Sequence, residues 1–167
     1  KEEYYRYAAS ALKYLEQTRH SDFYFFQEVD INSARTYREN QAERIRLLFP
    51  GYESACVINY KVLFVPVPPR NPMGKVISGL LSLFAYHCQE NSRYAFPAGY
   101  SWPVNLFQLD RCFLLSRLPL PSGKELVLVN THNEAFDDGS QRAKQMDMLR
   151  KLMLTEYERG NYVVAGG

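Results

Sequence analysis

Glu28 closes a short run of aromatic residues, Phe23-Tyr24-Phe25-Phe26-Gln27-Glu28. So short and aromatic a run suits a buried strand better than a helix. An ionised carboxylate at the end of a buried strand costs several kcal/mol unless an opposite charge or a cation meets it. A hard ion such as Mg²⁺ takes one or two carboxylates together with phosphate oxygens. A salt bridge or a solvated strand end would also explain Glu28, and the residues alone leave these readings open. His132 stands where Val129-Asn130-Thr131 ends and a loop begins, a favoured place for catalytic groups. Its imidazole could donate to a phosphate oxygen or shuttle a proton, or it could simply cap the strand. Arg111 follows Asp110 at the head of another β-rich run. It could clamp a phosphate with paired hydrogen bonds, or pair with Asp110.

The remaining polar candidates are weaker. Asp137-Asp138-Gly139 reads as a turn, since Asp and Gly are turn formers. His20 and His87 have no second chemical group at a useful spacing and read as surface residues. Cys56, Cys88 and Cys112 form no Cys-x-x-Cys pair, which argues against a zinc knuckle or a disulfide framework. They read as buried or partly buried free thiols, compatible with a reducing compartment, and localisation stays open. No Walker loop, dinucleotide fingerprint, Gly-x-Ser-x-Gly or His-Glu-x-x-His is present.

The elements that must position these groups follow from periodicity. Tyr5, Ala8, Leu12 and Leu15 recur at helical spacing over the first nineteen residues. A second helix is expected from Arg38 to Leu48, stopped by Pro50-Gly51. Ser54 to Val67 reads as one or two strands in a hairpin. Pro66 to Lys75 reads as a loop, and Val76 to Tyr86 as a strand in which Gly79 permits a bulge or a close backbone approach. Gln89 to Pro103 reads as a long ordered loop. Phe107–Arg117 and Glu125–Thr131 read as strands joined by a turn at Pro119–Gly123. From Gln141, the residues Met146, Leu149, Leu152, Met153 and Tyr157 form an apolar helical stripe, and Val163-Val164-Ala165 opens a last buried strand.

The 167 residues carry a net charge of +2, with 46% hydrophobic and 23% charged residues. That composition excludes a disordered or collagen-like chain. The charge is too small to argue for nucleic acid by itself. No stretch approaches the roughly 18 apolar residues of a membrane span.

Five segments occur in one order along most of the chain: Phe26-Gln27-Glu28-Val29, Ser78-Gly79, Asn130-Thr131-His132, Arg142-x-x-Gln145 and Asn161–Gly167. In that order they resemble the Gln-Glu motif, the Ser-Gly strand segment, the Thr-His motif, the helix after it and the strand leading into Gly-Asp-x-Asn of the endonuclease/exonuclease/phosphatase superfamily. The resemblance implies an α+β, deoxyribonuclease-like fold, a four-layer α/β/β/α sandwich with two mixed, mainly antiparallel sheets. It implies Mg²⁺ or Mn²⁺ at Glu28, with Gln27 in support, and His132 in contact with the scissile phosphate. Arg111 and Asn133 are expected beside the phosphate and Arg142 behind them. The reaction implied is hydrolysis of a phosphodiester or phosphomonoester by metal-activated water. A binding module that keeps the fold without the chemistry is the alternative. The implied partner is a phosphate-ester substrate, with nucleic acid and phospholipid head groups both among the classes used. The Tyr94–Phe107 and Pro66–Lys75 stretches are expected to shape the choice, with Tyr100 and Trp102 available for stacking. The superfamily's early Asn strand, its Asp-x-Asn and its Ser-Asp-His have no counterpart here. The expectation is therefore a single domain over residues 1–167, incomplete at both ends and inactive as a separate piece.

Overall fold

Period-two alternation decides the layering, because a strand that is apolar on both faces has to be covered on both. The computed structural model describes residues 2–66, 68–70, 72–97, 111–133 and 139–167. In chain order these form α1 (Glu2–Arg19), β1 (Phe23–Asp30), a 3-10 turn (Ala34–Thr36), α2 (Gln41–Leu48), β2 (Glu53–Val65) and β3 (Gly74–Phe84). Then come β4 (Glu90–Ala95), β5 (Cys112–Pro119), β6 (Glu125–Thr131), α3 (Ser140–Glu158) and β7 (Tyr162–Gly166).

Two sheets result. One has the order β1-β3-β2 and is antiparallel; the other has the order β4-β5-β6-β7. Only its β6–β7 pair is parallel, with α3 as the crossover that a parallel pair requires. Along β3, Leu80 and Phe84 enter the core between the sheets, while Leu81 and Leu83 pack under α2 with Ala42, Ile45 and Phe49. Along β5, Cys112, Leu114 and Leu118 face the same intersheet core, whereas Phe113 and Leu115 pack with Leu149 of α3. Each fully buried Leu or Phe contributes about 2 kcal/mol, and both faces of both sheets are served. The four-layer sandwich expected from the resemblance is the fold the chain adopts.

Local chemistry sets the boundaries. Asn40 caps α2 by accepting the Glu43 amide at 3.2 Å, which satisfies one of the orphan donors of the first turn. Gly79 permits the tight apposition of β2 and β3: a Cβ there would lie 2.1 Å from the Val57 carbonyl oxygen. Ser54 to Val67 contributes one strand rather than two, and its hairpin partner is β3.

Three expectations need correction. Residues Glu90 to Ala95 form an edge strand, not part of a loop. Their polar sequence hides a strand whose side chains are mostly exposed and whose backbone nonetheless pairs fully with β5. The strand expected from Phe107 begins at Cys112, with residues 107–110 outside those described. β7, expected as a buried strand, is mostly exposed, with Tyr162 at 58% and Val164 at 49%, because among the described residues it pairs with β6 alone. Asp137, Asp138, Tyr100 and Trp102 also lie outside the described residues. All three cysteines are free thiols, as expected, and among the described residues no helix is long and apolar enough to cross a membrane.

At the end of the second sheet away from His132, Arg117 of β5 ties β6 to the end of α3. It donates to Glu125 at 2.7 Å and to both oxygens of Glu156, at 2.7 and 3.1 Å. Asn161 adds a bond to Glu156 at 2.8 Å and accepts the Glu125 amide at 3.0 Å. Glu156 is 1% exposed, and the Arg117 guanidinium holds its carboxyl down at about 2, against an ordinary 4.5. A folded-state value below the unfolded one gives stability that is complete above about pH 4.5 and lost as the pH falls towards 2. We expect urea unfolding over this range to show a loss of roughly 3 kcal/mol that disappears in Glu156→Gln. Parallel pH profiles for the two proteins would contradict this placement of the charge.

Candidate active site at the sheet edge

The site is built on an irregularity in β1. Phe26 pairs with Leu81 and Val29 with Gly79, so Gln27 and Glu28 together face the single residue Leu80. Such a bulge re-aims the side chains it carries. Glu28 takes φ +54°, a left-handed conformation that glycine adopts without cost. A glutamate held there stores strain of about 1–2 kcal/mol, and such strain persists where the surroundings enforce it and is concentrated at functional sites.

The second half of the site comes from the other sheet. Asn130 lies on the intersheet face of β6, in step with Leu126 and Leu128. Its Nδ2 lies 3.3 Å from the Phe26 carbonyl, 3.1 Å from the Leu81 carbonyl and 3.1 Å from Ser82 Oγ, and its Oδ1 accepts Gln27 Nε2 at 2.9 Å. Two residues on, His132 Nε2 reaches within 3.8 Å of Glu28 Oε1. The imidazole is one-quarter exposed and the Glu28 side chain 65% exposed. The two groups expected to carry the chemistry, 104 residues apart in sequence, thus meet at one open edge.

Their neighbours hold the turn after β6. Arg111, 8% exposed, donates Nη1 to the His132 carbonyl at 3.2 Å. That geometry supports a positioning part for Arg111. Thr131 Oγ1 donates to Asn133 Oδ1 at 2.8 Å, and Asn133 Nδ2 lies 3.9 Å from Met146 Sδ. Gln27, expected to support Glu28, bonds Asn130 and so acts through the intersheet contact. Arg142 is exposed on the first turn of α3, while Gln145, one turn on, is 4% exposed. The intersheet roles of Asn130 and Ser82 do not follow from the sequence motifs, although Asn130 stands in the Asn130-Thr131-His132 segment. The signal was present for Asn130: it occupies the intersheet parity of an otherwise apolar strand.

The two acids of β1 differ in what they are free to do. Asp30 is buried and bound by Arg35 at 2.8 and 3.0 Å and by Ser33 Oγ at 2.7 Å. The same contact raises the pKa of the Arg35 guanidinium. Glu28 has an exposed carboxylate beside an imidazole and, among the described residues, belongs to no such clamp. Among the described residues no three His, Cys, Asp or Glu side chains gather as a closed metal cage. A single exposed carboxylate at an open edge fits Mg²⁺ or Mn²⁺, which complete their shells with water and substrate oxygens, and does not fit a structural zinc. A cleft of about 720 Å³ opens beside Glu28, lined by Leu12, Phe26, Arg35, Tyr37, Arg44 and Ile45.

No protein-family model and no curated protein matches the chain. Solved structures do. An endonuclease/exonuclease/phosphatase from Beutenbergia cavernae superposes with a TM-score of 0.62 at 16% identity, over 87% of this chain and 38% of that one. An endonuclease/exonuclease/phosphatase family protein from Leptotrichia buccalis gives 0.61 at 12% identity, over 90% and 56%. The human Nocturnin catalytic domain, with bound sulfate, gives 0.56 at 16% identity, over 93% and 55%. At these identities the likeness establishes the fold. The chain spans between 38% and 56% of the length of these three structures.

Two stability measurements check the construction of the site. Glu28→Gly and Glu28→Ala both remove the carboxylate, but only glycine relieves the left-handed backbone. We expect Glu28→Gly to be about 1 kcal/mol more stable than Glu28→Ala in denaturant unfolding. Equal stabilities would mean that the backbone there is unstrained. Asn130→Ala strands the Phe26 and Leu81 carbonyls, Ser82 Oγ and the Gln27 amide donor on the opposite sheet and is expected to lower stability by about 2–3 kcal/mol; a loss below about 0.5 kcal/mol, the range of ordinary surface substitutions, would refute the intersheet role.

Proposed function

We propose that this chain is part of a metal-dependent phosphoesterase of the endonuclease/exonuclease/phosphatase superfamily. The observation that carries the reading is the meeting of Glu28 and His132 at 3.8 Å on the edge where the two sheets join, in a fold shared with proteins of that name. The five ordered sequence motifs support it independently.

In this reading Glu28 holds Mg²⁺ or Mn²⁺, and the bound ion supplies charge neutralisation for the phosphoryl oxygens and the leaving group. The residues of the chain do the rest. His132 donates a hydrogen bond to the phosphate as water attacks phosphorus and the P–O bond to the leaving group breaks. Arg111 fixes the height of His132 through its backbone carbonyl. Among the described residues the acceptor of Asn133 Nδ2 is the weak one of Met146 Sδ at 3.9 Å, and a phosphate oxygen would be a stronger partner for it. Gln27 and Asn130 keep the two halves in register. Arg142, exposed at the start of α3, is proposed to support the phosphate side of the site. Orientation of this kind matters because a displacement of about 1 Å at a reacting centre costs on the order of 100-fold in rate.

The test is hydrolysis by the full-length protein of bis-p-nitrophenyl phosphate and p-nitrophenyl phosphate, which separate diester from monoester chemistry. With Mg²⁺ we expect release of nitrophenolate that EDTA abolishes. Glu28→Gln and His132→Ala are each expected to lower kcat by about 100-fold or more. Turnover indifferent to EDTA and to both substitutions would sink the proposal.

A further inference from the structure

The β2–β3 hairpin continues past the point where β1 stops. Pairing of β1 with β3 ends at Asp30 and Ser78, whereas β2 and β3 stay paired out to Val65 and Gly74. At about 3.3 Å per residue this arm runs roughly 13 Å past the end of β1, with Ser33 and Ala34 of the following turn packed along its β3 edge at Ile77 and Gly74 and the β2 edge uncovered by β1. It rises from the same edge as Glu28, whose neighbour Val29 pairs with Gly79 at its base.

The arm carries a second bulge. Val62 pairs with Val76 and Val65 with Gly74, so Leu63 and Phe64 together face Lys75. In a regular strand these neighbours would point to opposite faces. Here Val62, Val65 and Val76 are buried, with half-buried Tyr60 and Met73 packed against them, while Leu63 is 84% and Phe64 54% exposed. The extra residue turns two large apolar side chains outward side by side. Charge is as one-sided as the exposure. Between Ser54 and Gln89 the sequence holds Lys61, Arg70 and Lys75 and no Asp or Glu.

We propose that this bulged arm docks on an anionic lipid surface, with Leu63 and Phe64 entering the interfacial region and Lys61, Arg70 and Lys75 at the level of the head groups. Apolar tips flanked by cations are what such a surface binds. A nucleic-acid backbone would reward the cations but gives Leu63 nothing to bury against. Docked this way, the arm brings the edge that carries Glu28 and His132 towards the lipid. The interaction does not depend on the phosphoesterase reading, because binding is measured without turnover.

The experiment is sedimentation of the full-length protein with vesicles of phosphatidylcholine, with and without phosphatidylserine. Wild type is expected to partition onto the phosphatidylserine vesicles, more weakly at high salt. Leu63→Ser/Phe64→Ser is expected to lower that partition about tenfold or more, with circular dichroism and hydrolysis of soluble esters unchanged. Lys61→Gln and Lys75→Gln are each expected to lower it about fivefold. The proposal is overturned if wild type ignores phosphatidylserine or if the double Ser variant binds like wild type. It is equally overturned if the arm substitutions abolish oligonucleotide binding or self-association and leave vesicle binding intact.

Discussion

A single buried amide holds the site together. Asn130 has two hydrogens and one carbonyl oxygen to place, and its partners are Phe26, Leu81, Ser82 and Gln27, all in the other sheet. The core around it is made of Leu, Phe, Val, Ala and Cys, which favour contact between the sheets but not a particular register. Apolar side chains can slide; a set of buried hydrogen bonds with short, defined geometry cannot without leaving polar groups unsatisfied. The contact sits one residue before Glu28 on one sheet and two residues before His132 on the other. Whatever alters it alters the distance between those two groups.

Strain and burial divide the work between the acids of β1. Asp30 is buried and saturated by Arg35 and Ser33, so it stabilises the turn after β1. Glu28 is exposed and held in a backbone conformation better suited to glycine. The fold thereby keeps one carboxylate for structure and presents the other at the edge. At the far end of the second sheet, Arg117 and Glu156 tie the end of α3 to β5, to β6 and to Asn161 just before β7, away from His132.

Much of this was legible in the sequence, for local reasons. Runs such as Leu126-Val127-Leu128-Val129 read as strands because both faces are apolar, and Glu28 and His132 stood out as polar groups at strand ends. The ordered motifs gave the layering. The features that escaped are set by pairing rather than by composition. Glu90–Ala95 is polar and looks like a loop until β5 supplies its partner. The bulges at Gln27-Glu28 and Leu63-Phe64 arise from register with β3, which no single segment encodes. Val163-Val164-Ala165 reads as a buried strand because it is apolar, and apolarity does not report whether a neighbour covers it.

The central claim is that groups from two sheets form one cation-binding site, and Mn²⁺ broadening of histidine ring resonances tests it directly. His20, His87 and His132 are the chain's three histidines, so two serve as internal controls. The account predicts that substoichiometric Mn²⁺ broadens the His132 signals first, and that Glu28→Gln abolishes the selectivity. Broadening that favours His20 or His87, or that survives loss of the Glu28 carboxylate, would contradict it.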